Sequence, residues 1–407
     1  MSGEGLTRRQ QVRRLLLRAG GQALGGRQGQ QEAPAPGDVP RRLLLIRPDH
    51  LGDVLWLTPA LRSLRQGYSE AAITVAIGPW SKPILADNRD YDRLLTIDFP
   101  GFTRRPKGNP LAPYRLLRET AQELRAHRFD AALILRDDHW WGGLLAATAG
   151  IPRRIGFAHP DVTPFLTDAL PLPSGEHTAF GNLRLVDALL RIVGQPTPNH
   201  GSIDAANAPL DHPLVFTAPE VAERHAAALL APLDNTKPIV AIHASAGVPV
   251  KLWDEARLAL VADRLAEEYG AQIVLTGSKG DEGLTGAVAA AMTTAPPLDL
   301  TGRTDIPELV ALYRRCALVI GPDSGALHLA VAAAVSTIHL YGPADPIRFG
   351  PWGDPQRQRV ISAGMHCSRC GDLSPTRPRG TACMLAIGPD KVLAAARRLL
   401  DHDRQSR

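Results

Sequence analysis

Two runs of short aliphatic strands alternating with amphipathic helices constrain this chain more than any other feature. From Arg41, "RLLLIR", "AITVAIG", "RLLTID" and "FDAALIL" read as strands. Helices are predicted at "DVLWLTPALRSLRQG", "YRLLRETAQELRAHR", "HWWGGLLAATAG" and "GNLRLVDALLRIVG". The Pro-, Asn- and His-rich stretch 195–236 loses this periodicity, and the alternation then restarts. "PIVAIHA", "AQIVLTG", "LDLTG", "ALVIG" and "VSTIHLYG" are the second set of strands, with helices at about 253–269, 281–294, 305–316 and 324–334. Strands that are aliphatic throughout, rather than at every second residue, are buried on both faces, and helices between them supply the cover. The predicted class is therefore α/β, with two Rossmann-like domains whose parallel sheets face an inter-domain cleft. A length of 407 residues, too great for one ordinary core, agrees.

The boundaries follow from composition. Residues 1–40 form a basic arm and linker, 41–205 the N-terminal domain, 206–236 the connection, and 237–388 the C-terminal domain. In 389–407, "DKVLAAARRLLD" is an amphipathic helix expected to pack back on the N-terminal domain. Within the arm, Leu6, Val12, Leu15, Leu16 and Leu17 alternate with Arg8, Arg9, Arg13, Arg14 and Arg18. A helix there would lie on an anionic membrane surface; a disordered arm with incidental arginines is the competing reading. No apolar run approaches the roughly 20 residues of a membrane span, and no signal-peptide core is present. The expectation is a cytoplasmic protein, in contact with the inner face of the cytoplasmic membrane at most peripherally. A formal net charge of +5 suits anionic partners such as nucleotides or acidic headgroups, and no nucleic-acid partner is expected.

Four cysteines exclude a disulfide framework. Cys367, Cys370 and Cys383, with His366 beside the first, match the donor set of a zinc site. The plainer reading is three reduced thiols bracing a Pro/Gly-rich loop.

In open parallel sheets, ligands gather at the carboxyl ends of the strands. "RPDHLGD" leaves the first strand with Arg47, His50 and Asp53, more charge than packing requires. "HASAGVPVK" presents Ser245 and Lys251, a hydroxyl and an ammonium suited to a diphosphate. "TGSKGDEG" supplies Asp281 and Glu282, where a carboxylate could take ribose hydroxyls or simply begin a helix. The strongest segment is "GPDSGALH". Ser324 and Gly325 open a helix whose free amides favour a phosphate, with Asp323 at the cap and His328 one turn on. An Asp/Ser cap with a core histidine would give the same letters. There is no G-x-G-x-x-G after the first strand, no P-loop, no Asp-x-Asp metal motif and no G-x-S-x-G elbow.

"RPDHLGDVLWLTPALRSLR" near the start and "DLTGRTDIPELVALYRRCALVIGPDSGALHLAVAAAVSTIHLYGPADPIRFGPWG" near the end resemble glycosyltransferase family 9, the lipopolysaccharide heptosyltransferase family, over about 41–402. The resemblance implies a GT-B fold, with acceptor on the N-terminal domain and donor on the C-terminal one. It implies inverting, metal-independent transfer without a cofactor, from a nucleotide-diphosphate sugar, ADP-heptose in the typical case, to a lipid-linked saccharide. Asp53 corresponds to the general base and Lys251 to a phosphate contact. Glu282, or Asp281 beside it, takes the ribose role. Asp323, Ser324, Gly325 and His328 form the remaining donor set. The family's hydroxyl pair maps to Ser245 and Ala246, so one hydroxyl is lost. Arg47 and His50 are candidate acceptor contacts, and the basic stretch 100–113 is a candidate acceptor loop. One tension stands: a helix N-terminus stabilises a carboxylate and so weakens it as a base. A loose, oxocarbenium-like transition state with late deprotonation eases that demand. Alternatives are a GT-B enzyme using another donor, a nucleotide-sugar epimerase, and a non-catalytic sugar-nucleotide-binding protein.

Overall fold

The computed structural model describes Arg14 and residues 40–103, 109, 111–197, 204–365 and 379–405. In chain order, the first half runs β1 (Arg42–Arg47), α1 (Leu51–Leu55), α2 (Thr58–Gly67), β2 (Ala72–Ile77), α3 (Lys82–Leu85), β3 (Arg93–Thr96) and α4 (Ala112–His127). It continues with β4 (Ala131–Ile134), α5 (Trp140–Thr148), β5 (Arg153–Phe157), β6 (Asp168–Leu170) and α6 (Thr178–Ile192). Next come α7 (Ala208–Asp211), α8 (Glu220–Leu230), β7 (Ile239–His243), α9 (Glu255–Tyr269), β8 (Gln272–Thr276), α10 (Glu282–Ala291), β9 (Leu298–Asp299) and α11 (Ile306–Tyr313). The chain ends with β10 (Leu318–Pro322), α12 (Gly325–Ala332), β11 (Ser336–Tyr341), α13 (Pro346–Phe349), β12 (Gln358–Ser362), α14 (Ala382–Leu385) and α15 (Pro389–Gln405).

The strands form two six-stranded sheets, ordered β3-β2-β1-β4-β5-β6 and β12-β11-β10-β7-β8-β9, and every pairing is parallel. This is the α/β class that the strand pattern predicts, and it is the GT-B architecture that the family resemblance implies. Each sheet reverses its winding direction between its first strand and the fourth, at β1/β4 and at β7/β10, and such switch points are where crevices form.

The described residues fall into two compact units, the first drawn from 1–50, 59–82 and 89–203 and the second from 51–58, 83–88 and 204–407. The segment Leu51–Thr58, which follows β1 in the chain, thus belongs with the second unit.

In the first unit, Leu43–Ile46 are wholly buried, and Leu44 and Ile46 share a core with Ile134, Trp141 and Leu145. A fully buried leucine or isoleucine contributes roughly 2 kcal/mol. The second core joins Val240, Ile242, Leu258, Leu318 and Ile338 to Val392, Ala396 and Leu399. The last three place α15 on the second unit's own sheet, whereas the sequence suggested a return to the N-terminal half. The stretch 206–236, read as a connection, holds the eleven-residue α8. Its Ala222, Ala226 and Leu229 are buried, and the Pro-rich flanks hid the period.

One predicted helix, 53–67, is two. Pro59 has no N–H to continue α1 and its ring opposes the carbonyl of Leu55. The Thr58 hydroxyl takes that carbonyl instead, at 2.7 Å. Within the arm Arg14 donates to Asp161 at 2.8 Å. Among the described residues no helix is long and apolar enough to cross a membrane.

Candidate functional site

The second unit's switch point gathers most of the residues the sequence singles out. Asp323 ends up buried just after β10, where burial opposes its ionisation. The His328 imidazole facing it and the charge of Lys251 outweigh that, holding the carboxyl well below the usual range. Lys251 Nζ donates to Asp323 Oδ2 at 2.5 Å, and His328 Nε2 stands 3.5 Å from Oδ1. The latter separation is an electrostatic contact, longer than a good hydrogen bond. Tyr341 sets its hydroxyl 3.2 Å from the same oxygen and against the Phe349 carbonyl. The carboxylate is therefore already engaged. It is gripped by the residues that sequence reasoning assigned to the diphosphate.

Ser324 caps α12 in an extended conformation. Its Oγ is buried without a hydrogen-bond partner among the described residues, and so is His328 Nδ1. Positions 324 and 328 are one turn apart and share a helix face. Two orphaned polar atoms on that face, where buried polar groups are nearly always satisfied, mark a place for a polar ligand.

Directly on this helix lies α1. A β-carbon at Gly52 would come 3.1 Å from His328 Cδ2 and 3.6 Å from Gly325 Cα. Leu51 Cβ would be 3.2 Å from one on Gly325. The two glycines let the Gly-Asp turn and the Asp-Ser-Gly turn meet, and Asp53 stands in the first turn of α1.

Ser245 and Asp281 also converge. The Ser245 hydroxyl donates to Asp281 Oδ1 at 2.6 Å, while Ser278 gives its amide and hydroxyl to Oδ2 at 2.7 and 2.6 Å. Asp281 is thereby committed to capping, whereas Glu282 beside it is exposed. Nearby, His243 donates or accepts through Nδ1 at Thr276 (3.2 Å), and burial lowers its pKa to about 4.

The acceptor candidates are placed differently. Arg47 is buried at 2% exposure, its Nε 2.8 Å from Asp49 and its Nη1 2.7 Å from the Leu135 carbonyl. His50 is exposed, its ring 5.5 Å from that of Trp80. His366, Cys367 and Cys370 lie outside the described residues, and among those described no group of three or more His, Cys, Asp or Glu is placed to hold a metal ion. Cys383 is buried, with Thr381 Oγ1 3.3 Å from its sulfur.

Sequence reasoning missed two groups. At the first unit's switch point, Arg136 pairs with Asp49 and, at 2.5 Å, with Asp138. Burial opposes the ionisation of Asp49, yet Arg47 and Arg136 hold its pKa down. Beside them His139 is 4% exposed, and burial lowers its pKa to about 3. The signal was "LRDDHWW", charges at a strand end like those of "RPDHLGD". On β11, Thr337, His339 and Tyr341 alternate with aliphatics, a period-two polar stripe in a strand otherwise read as core.

A family model described as glycosyltransferase family 9 (heptosyltransferase) matches residues 117–375. The chain belongs to glycosyltransferase family 9. Several relatives of this family 9 chain span most of it. The lipopolysaccharide heptosyltransferase 2 of Salmonella typhimurium is 25% identical over 368 residues, 89% of this chain and 99% of that one. A family 9 glycosyl transferase structure from Veillonella parvula superposes with a TM-score of 0.71 at 25% identity, covering 89% of this chain and 98% of that one. The ADP-heptose lipopolysaccharide heptosyltransferase II structure of E. coli gives 0.66 at 23% identity, covering 89% and 99%.

Proposed function

We propose that this family 9 glycosyltransferase moves heptose from ADP-heptose onto a lipid-linked, lipopolysaccharide-core-like saccharide, with inversion, at the inner face of the cytoplasmic membrane. The observation that carries the reading is the pair of buried, unpartnered polar atoms on α12, Ser324 Oγ and His328 Nδ1, beside Lys251 and directly under the Asp53 turn. Amides at the N-terminus of α12 favour an anion, and Lys251 supplies a full positive charge. Together they answer the charge that develops on a departing diphosphate. The Salmonella relative is named for heptosyl transfer and the E. coli structure for ADP-heptose, and both names fit such a site.

In the step itself, an acceptor hydroxyl oxygen bonds to the anomeric carbon as the bond from that carbon to the diphosphate oxygen breaks. Asp53 receives the hydroxyl proton on the face opposite the leaving group. Glu282 takes the ribose hydroxyls. The acceptor saccharide engages the first unit's strand ends, near His50.

A thermal-shift screen against ADP-, GDP-, UDP- and dTDP-linked sugars tests the donor, and only ADP-linked sugars should stabilise the protein strongly. Asp53→Ala should then abolish transfer while retaining donor affinity. Undiminished turnover in that variant would remove Asp53 from the chemistry, and product formed from donor alone would favour an epimerase.

A further inference from the structure

We propose that Trp56 is a positioning residue for His328, fixing the imidazole through which α12 meets the donor diphosphate. The inference rests on the reading of 323–328 as the diphosphate site. Trp56 is 3% exposed, so it does not meet substrate itself. Its ring stands edge-on to His328 at 4.6 Å between centroids and an interplanar angle of 66°. That T-shaped arrangement is one that ring quadrupoles favour. On another side Trp56 stacks at 6.1 Å and 23° on Phe349, whose own ring carries the Arg348 guanidinium at 5.2 Å.

His328 is therefore confined on all the sides that the structure records. Trp56 presents an edge, His339 lies 5.5 Å away between centroids, Asp323 faces Nε2, and the backbone of Gly52 closes over Cδ2. His339 meets it ring to ring, and the Asp323 carboxylate, 3.5 Å from Nε2, is too distant to fix a ring alone. Ring orientation must then come from packing, and Trp56 supplies the largest surface. It also belongs to the segment that carries Asp53. The same indole links that segment to His328 and, through Phe349, to the carbonyl that Tyr341 touches beside Asp323. Loss of the indole would free the imidazole to rotate, so that the diphosphate meets several ring orientations instead of one.

The test is a double-mutant cycle read by calorimetric binding of ADP and of inorganic pyrophosphate, each to the full chain. Trp56→Ala should weaken ADP about tenfold in the wild-type background and less than about twofold in a His328→Ala background, a coupling typical of residues in contact. Trp56→Phe, which keeps an aromatic edge, should recover most of the loss. Equal losses in both backgrounds would show that Trp56 acts through the fold at large and would overturn the proposal. Should Trp56→Ala not fold, Trp56→Leu and Trp56→Phe carry the same cycle. A wild type that binds neither ADP nor pyrophosphate overturns the diphosphate reading, a result distinct from equal losses.

Discussion

Lys251 Nζ and Asp323 Oδ2 are 2.5 Å apart, though 72 residues separate them in sequence, and both side chains are mostly buried. Each was expected to meet the donor; in the structure they meet each other. On the proposed function, a diphosphate bound here would compete for the ammonium, so the pair would set how much of the Lys251 charge the ligand receives.

Removing one partner strands the other. Lys251→Met should destabilise the protein by roughly 3 kcal/mol at pH 7.5, because a buried carboxylate loses its compensation. The sign with pH is fixed by Asp323, whose folded pKa lies well below the ordinary 3.8. Its stabilisation is present above that value and is lost as pH falls through the folded pKa. In Lys251→Met the folded pKa rises toward the unfolded value, so the acid-linked loss becomes smaller and is complete at higher pH. Adding Asp323→Asn should return most of the stability without returning ADP affinity. Urea unfolding and calorimetry on the three proteins check this.

Gly52 permits the contact between α1 and α12. In Gly52→Ala the new methyl would sit 3.1 Å from His328 Cδ2, tight enough to push the two turns apart by a few tenths of an ångström. The fold should persist, with a melting temperature within a few degrees. Transfer should suffer far more, with kcat/KM down about tenfold, since small displacements of reacting groups are costly. Steady-state kinetics alongside a melting curve separates the two effects, and unchanged kinetics would refute the contact's role.

The sheets were legible because parallel strands buried on both faces are aliphatic throughout, and "RLLLIR" spans β1 from end to end. Short edge strands such as β6 and β12 carry only a few alternating residues and gave no such signal. Asp53, Asp323 and His328 could be named since charge at a strand end has few structural uses. Trp56 could not: inside "DVLWLTPAL" it is one more apolar residue on a helix. What distinguishes it is a neighbour 272 positions later, a contact that no local pattern encodes. The membership of 51–58 in the second unit was hidden for the same reason. Asp281 and Glu282 looked interchangeable until the hydrogen bonds from Ser245 and Ser278 occupied the first.

His139 makes the first unit acid-sensitive. Neither ring nitrogen has a hydrogen-bond partner among the described residues, and burial brings the pKa from 6.5 to about 3. The unfolded chain therefore binds a proton below pH 6.5 that the folded chain refuses until about 3, so stability falls as pH drops through that window. At pH 5 the contribution is about 2 kcal/mol. His139→Phe, packed among Phe99, Phe102 and Trp141, removes the proton site. Relative to wild type, its unfolding free energy should gain about 2 kcal/mol between pH 7.5 and pH 5. A pH-independent difference between the two would show that another group takes up the proton.

Thr58 anchors the segment that carries Asp53. Its wholly buried hydroxyl donates to the Leu55 carbonyl at 2.7 Å and accepts the Val215 amide at 2.9 Å, joining 51–58 to the 204–216 stretch of the same unit. Valine has the same shape but neither bond. Thr58→Val should cost about 2 kcal/mol, largely by leaving the Val215 N–H unsatisfied. Thr58→Ser, which keeps both bonds, should cost well under half as much. Hydrogen exchange at the Val215 amide gives the decisive reading, because protection should drop in the valine variant and survive in the serine one. Since the same anchor holds α1 against α12, the valine variant should also lose transfer rate beyond its loss of stability, and serine should restore it. Equal protection of Val215 in all three proteins would mean that the segment is held by its apolar contacts alone.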